Sequence, residues 1–201
     1  MIGILDYGLG NISAFENIYL RLGIPVLRIR TIADFEGCSR LILPGVGAFD
    51  WAMQKLNGSG LRESLEHFVL EKEIPILGVC VGMQMMANTS EEGQLDGLGW
   101  IPGTVKIIDA TPELKLPHMG WNDVNPRGVH YLFNGVENVP QFYFLHSYTF
   151  ATVQSENIIA ETTYGATFPC VVGNKHIIGT QFHPEKSHHW GVAVLKNFAE
   201  A

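Results

Sequence analysis

The stretch Ile76-Leu77-Gly78-Val79-Cys80-Val81-Gly82-Met83-Gln84 decides how this chain is read. An apolar run reaches a cysteine with a glycine two residues away on either side, and a helix-compatible run, Met83 to Ala87, follows. This G-x-nucleophile-x-G form sets a reactive side chain on a sharp strand-to-helix turn, with Cys80 where many hydrolases carry serine. Such a turn strains the nucleophile's backbone and brings chain segments so close that flanking side chains must be absent. Gly78 and Gly82 meet that need. A helix start also favours a thiolate over a thiol. The plain alternative is a buried structural cysteine beside a glycine turn, which leaves the strand before and the helix after as coincidence. Cys38 and Cys170 lack such a setting and are expected to be inert.

Outward from the elbow, the first half alternates strand-like and helix-like patterns. Ile2 to Leu5 reads as a strand ending in the turn set Asp6 to Asn11, and Ile12, Phe15, Ile18, Tyr19 and Leu22 then recur at helical spacing. Gly23 and Pro25 stop that helix. Pro25 to Ile29 and Arg40 to Leu43 are further strands, the latter broken at Pro44-Gly45-Val46-Gly47. A helix with Leu61, Leu65, Phe68 and Val69 on one face leads to the strand Ile74 to Val79. Continuous apolar strands joined by crossover helices imply a parallel sheet buried on both faces. The second half adds β-like runs at Thr104 to Ile108, Gln141 to Leu145, Ile158 to Glu161, Val171-Val172 and His176 to Phe182, then a helix around Val192 to Phe198. The expected fold is one α/β sandwich over residues 1–201, with a mixed, mostly parallel sheet flanked by helices and a small antiparallel β addition.

A cysteine nucleophile needs an imidazole to take and return a proton, and a third group to orient that ring. His183, in Gln181-Phe182-His183-Pro184-Glu185, follows a β-like run, where catalytic loops tend to sit. Glu185 is two residues on, so in an extended chain both side chains project to one side. Cys80, His183 and Glu185 are the expected triad. Acyl transfer also needs donors for the developing oxyanion; the backbone N–H of Val81 is one. A second is expected from the glycine-rich loop Leu43 to Phe49, where a single donor is worth about 2.7–4 kcal/mol in rate.

The bulk properties exclude several classes. Over 201 residues the formal charge is −7 and no Lys/Arg run stands out, so neither nucleic-acid phosphates nor anionic membranes find a basic stripe. The longest apolar runs fall far short of the roughly 20 residues that span a bilayer. The N-terminus shows no basic segment or cleavage site of a secretory signal, so a cytoplasmic location is expected. Three cysteines do not make a disulfide framework. No cofactor motif is legible, since Gly8 and Gly10 lack the third glycine of a dinucleotide fingerprint. No metal site is expected either: the adjacent His188 and His189 rarely both face one ion, and they read as a solvated or partner-facing loop.

Together these pieces resemble class I glutamine amidotransferases, over essentially the whole chain. Pro44-Gly45-Val46-Gly47, Gly78 to Gln84 and Phe182-His183-Pro184-Glu185 carry that likeness. A narrower resemblance, to the glutaminase subunits of imidazole glycerol phosphate synthases, rests on Asp6 to Asn11, Ser90-Glu91-Glu92-Gly93, Pro117 to Asn122, Phe144 to Tyr148 and Lys186-Ser187. The resemblance implies hydrolysis of glutamine to glutamate and ammonia for a (β/α)8-barrel cyclase partner. That partner makes imidazole glycerol phosphate and an aminoimidazole carboxamide ribotide. It also implies that Val46 supplies the second oxyanion N–H, and that Gln84 and Glu92 bind the substrate's polar groups. Gly47 and the backbone of Ser147 and Tyr148 would close the pocket, with Asn11, Tyr143 and Lys186 toward the partner. Val81 where leucine is common, and the bulk of His188-His189-Trp190 after the triad loop, depart from the pattern. Three other readings stay open: a paralogous subunit feeding ammonia to sugar amination, a free-standing γ-glutamyl hydrolase, and a non-enzymatic subunit. The last would be marked by a lost nucleophile or base, and neither is lost.

Overall fold

The computed structural model describes residues 1–109, 114–136, 139–152 and 154–201. Its first half runs β1 (Ile2–Leu5), α1 (Ile12–Arg21), β2 (Val26–Ile29), β3 (Arg40–Gly45), α2 (Phe49–Gly58), α3 (Arg62–Glu66), β4 (Ile76–Cys80) and one turn, α4 (Val81–Gln84). Strands dominate the second half: β5 (Thr89–Ser90), β6 (Gly103–Ile107), β7 (His118–Asp123), β8 (Asn125–Pro126), β9 (Gln141–His146) and β10 (Tyr148–Thr152). Then come β11 (Ile158–Tyr164), β12 (Ala166–Asn174), β13 (Ile177–Thr180) and the closing α5 (His188–Glu200).

An eight-stranded sheet, ordered β2-β1-β3-β4-β13-β12-β11-β8, runs through the molecule. From β2 to β13 the pairing is parallel, and from β13 to β8 antiparallel. The mixed, mostly parallel sheet is as expected, and the smaller sheets β10-β6-β5 and β7-β9 form the β addition. Every residue of β1, β4 and β13 is buried, which is why these strands read as unbroken apolar runs. Helix α1 buries Ile12, Phe15, Ile18 and Tyr19. It stops where Gly23 and Pro25 predict: Gly23 at φ 71 lets its N–H donate to Leu20 O (3.1 Å) while Ile24 N–H donates to Tyr19 O (2.9 Å).

The structure departs from the local reading, or adds to it, in four places. β3 is not broken at Pro44 but continues to Gly45. Its pairing with β1 ends at Ile42, so Pro44 needs no ladder donor there, and the Tyr7 hydroxyl donates to Pro44 O (2.6 Å). A helix absent from the sequence reading, α2, buries Phe49, Ala52, Met53 and Leu56 at helical spacing. The helix after Cys80 does not extend to Ala87. Met86 N–H and Ala87 N–H donate only three residues back, to Met83 O (3.0 Å) and Gln84 O (3.0 Å), and the carbonyls of Met85, Met86 and Ala87 accept from Leu98 (2.7 Å), Ile101 (3.0 Å) and Gly99 (3.0 Å), so the turn tightens against residues 98–101. Finally, β12 runs straight through Pro169, opposite a register irregularity in β11 and before pairing with β13 begins at Val171.

Candidate active site

β4 delivers Cys80 to the carboxyl end of the parallel sheet, where its backbone sits at φ 56, ψ −113. A residue with a β-carbon holds such a conformation at a cost of order 1–3 kcal/mol, so packing must enforce it. Three glycines show how. A Cβ on Gly82 would lie 2.0 Å from Leu43 O, one on Gly45 2.2 Å from Gly82 N, and one on Gly78 2.7 Å from Gly82 O. β3, β4 and α4 therefore meet backbone to backbone. Gly78 and Gly82 do what the motif requires, and Gly45 is a third member that the motif does not name.

His183 follows β13, and its loop is clamped onto β9. His183 N–H donates to Tyr143 O (2.9 Å), Ser187 Oγ donates to His183 O (2.6 Å), and Tyr143 N–H donates to Ser187 Oγ (3.0 Å). Glu185 does not reach the ring by an extended chain. Pro184, with its fixed φ, opens a 3-10 turn over Pro184–Lys186 that folds the carboxylate back. Glu185 Oε1 then lies 2.8 Å from His183 Nδ1, both side chains under 5% exposed. Cys80 and His183 line one cavity. Burial alone would lower the His183 pKa, but interactions with Cys80 and Glu185 raise it to about 10. The ring is thus an imidazolium at neutral pH, oriented by Glu185 and set beside the nucleophile.

A cavity of about 320 Å³ opens over the sulfur, at the small end of ligand pockets. Val46, Gly47, Val81, Gln84, Glu92, Ser147 and Tyr148, all the expected oxyanion and substrate residues, line it together with Cys80 and His183. Gly47 holds φ 85 where the loop turns, and Glu92 Oε2 accepts from Phe49 N–H (2.9 Å), tying that loop's far end to the pocket. Gln84 is almost fully buried; its Nε2 donates to Tyr148 O (3.2 Å) and Gln181 Oε1 (3.1 Å). Its own Oε1 is thereby the atom free to accept from a substrate N–H. Ser147 O already accepts from Ile108 N–H (2.9 Å).

The residues expected at a partner surface are placed less uniformly. Tyr143 and Lys186 meet, Nζ 5.8 Å from the ring centre, beside the exposed Trp121. Asn11 is exposed too, yet it already caps α1 through Oδ1, which accepts from Ala14 N–H (3.3 Å). His188 and His189 are not a loop: they open α5, His188 stacked on Trp121 with ring centres 5.0 Å apart.

Residues 5–201 match the model of the glutamine amidotransferase class-I family. A protein of Bdellovibrio bacteriovorus described as imidazole glycerol phosphate synthase subunit HisH is 53% identical over the full length of both chains. A Leptospira borgpetersenii protein of the same description is 48% identical over 99% of both. A Pseudomonas aeruginosa protein, described as subunit HisH 2, is 42% identical over 100% of this chain and 99% of its own. The chain belongs to the class I glutamine amidotransferases, in the HisH family. The fold agrees: the crystal structure of a putative GMP synthase subunit from Thermoplasma acidophilum superposes with a TM-score of 0.73 at 22% identity, over 98% of this chain and 91% of that one.

Within this amidotransferase the other two cysteines are differently placed. Burial pushes the Cys170 thiol well above its usual range and raises Cys38 as well, which suits inert core residues. Among the described residues no group of three or more His, Cys, Asp or Glu converges as metal ligands would, and no helix is long and apolar enough to cross a membrane. The sequence reading missed Gln181, His118 and His146, all buried around the pocket. Gln181 stood two residues before His183 in a segment already singled out, but nothing local marked it as a neighbour of the sulfur.

Proposed function

We propose that the chain hydrolyses glutamine through a thioester on Cys80 and passes the ammonia to a (β/α)8-barrel cyclase subunit for imidazole glycerol phosphate formation. The observation that supports this most directly is a strained cysteine facing the buried His183–Glu185 pair inside a cavity sized for an amino acid. The Cys80 sulfur attacks the side-chain amide carbon of glutamine, and the carbonyl oxygen becomes an anion held by the N–H groups of Val46 and Val81. The imidazolium of His183 protonates the departing nitrogen, the C–N bond breaks, and ammonia leaves a glutamyl thioester. Neutral His183 then takes a proton from water, whose oxygen attacks the thioester; glutamate departs and the sulfur is restored.

Ammonia released into water is protonated and ceases to be a nucleophile, so a synthase must receive it across a shared, sheltered path. Asn11, Tyr143 and Lys186 form the partner side, and the chain acts in the cytoplasm. Replacing Cys80 by alanine is expected to abolish glutamine hydrolysis while leaving partner binding and ammonia-dependent synthesis intact. Glutamine turnover surviving in Cys80→Ala would refute the assignment. Two narrower alternatives are told apart by assays of the wild type: a γ-glutamyl hydrolase cleaves γ-glutamyl peptides unaided, and a sugar-amination subunit fails to support imidazole glycerol phosphate synthesis.

A further inference from the structure

A row of hydrogen bonds links the small β7–β9 sheet to the nucleophile, and each proton in it has one allowed place. Tyr148 O can only accept. His146 Nδ1, 2.7 Å away, must therefore carry its proton, leaving neutral His146 with Nε2 as an acceptor. That atom lies 2.9 Å from His118 Nδ1, which must then donate, and His118 Nε2 in turn accepts from Asn122 Nδ2 (3.1 Å). On the other side, Gln84 can offer Tyr148 O only its Nε2. The same nitrogen donates to Gln181 Oε1, so Gln181 is turned with its own Nε2 toward the Cys80 sulfur, 3.9 Å away. Reversing any amide or tautomer would set two acceptors or two donors face to face.

The members are held rigidly. Gln181 is fully buried, and His118 is stacked against Phe144 and Tyr164 with ring centres 4.7 and 4.2 Å away. Burial lowers the pKa of His118 to about 4 and that of His146 to about 3, so both are neutral at neutral pH, as the ordering requires. Leu145 O, 3.9 Å from the sulfur, would accept from a thiol, whereas the N–H of Gln181 at the same distance favours a thiolate, which only accepts. Of the titratable groups facing that sulfur, His183 gives its proton to the leaving nitrogen and regains one from water during turnover, and Tyr7 stays a neutral phenol, its pKa raised by burial and then by Cys80. The amide of Gln181 is the donor whose direction never changes.

We propose that Gln181 is a positioning residue that holds an N–H on the Cys80 sulfur, and that Tyr148 O, which can only accept, fixes its direction through Gln84. The proposal rests on the reading of Cys80 as nucleophile and adds to it a means of keeping the sulfur poised between turnovers.

The test is the rate of iodoacetamide labelling at Cys80 in the full chain, resolved from Cys38 and Cys170 by peptide mass spectrometry and followed against pH. Gln181→Met removes the donor at similar length, and Gln181→Glu aims an acceptor at the sulfur. Labelling at pH 7 should slow by about tenfold or more, with the midpoint moved to higher pH, since bonds to charged groups are worth that much. Wild-type rate and midpoint in Gln181→Met would overturn the proposal. Should both variants fail to fold by circular dichroism, Gln84 decides: Gln84→Glu presents an acceptor to Gln181 and should turn its oxygen to the sulfur, slowing Cys80 labelling about tenfold. Wild-type labelling in a folded Gln84→Glu would sink the idea. Loss of hydrolysis in Cys80→Ser checks the nucleophile separately, whichever way the labelling falls.

Discussion

At Cys80, reactivity comes from where the backbone and one ring are held, so the consequences of single substitutions separate by role. His183 moves protons, while Glu185 orients the ring and shares its charge. His183→Asn should cost glutamine hydrolysis roughly two orders of magnitude more in kcat than Glu185→Gln, as base and orienter differ in other triads. Equal losses would show that the carboxylate does more than orient. The His183 pKa, raised to about 10 from an unfolded value near 6.5, also makes a stability prediction. Its folded form binds the proton more tightly, so this stabilisation is complete below about pH 6.5 and is lost as pH rises through about 10. Melting temperature should therefore fall across that alkaline window, and fall less in Glu185→Gln. A variant with the wild-type slope would remove the ion pair from the account.

Elements, rather than residues, set the elbow. Because β3 and α4 touch backbone to backbone, Gly45→Ala or Gly82→Ala must push them apart. Each should lower stability in urea by about 1–3 kcal/mol or more and remove most glutaminase activity. A folded, fully active Gly82→Ala would mean the close approach is dispensable. The β7–β9 sheet makes the opposite pH prediction. His118 and His146 titrate near 4 and 3 against about 6.5 unfolded, so stability is full above pH 6.5 and drains as pH falls through those values. His118→Phe should flatten that acid slope. What the sequence reveals follows the same division. Buried parallel strands, the Gly23 stop and the Cys80 elbow were legible because each depends on neighbours a few residues apart. The single turn of α4 was not, since the N–H groups of Met86 and Ala87 turn to carbonyls three residues back where the chain packs against residues 98–101. β3 continues past Pro44 only because β1 has already ended, another fact of the sheet and not of the segment. In the site, the motif residues were legible, but Gln181, His118 and His146 act through partners up to 101 positions away and carry no local pattern.

The whole molecule is half of a device. The long sheet presents one cavity at its carboxyl end, and Tyr143, Lys186 and Trp121 cluster beside the triad loop on an exposed face. Because Tyr143 O accepts from His183 N–H, a displacement of Tyr143 would be felt by the catalytic loop. The isolated chain should therefore hydrolyse glutamine slowly until its partner is bound, and Lys186→Ala should weaken association. Full-rate turnover by the chain alone would remove the partner from the mechanism. The central claim is that glutamine becomes covalently attached to one sulfur. Acid quenching of the complex during glutamine turnover, followed by mass spectrometry, should find a γ-glutamyl adduct on the peptide bearing Cys80 and on no other. Steady hydrolysis with the adduct on Cys38 or Cys170, or an equal adduct in Cys80→Ala, would contradict it.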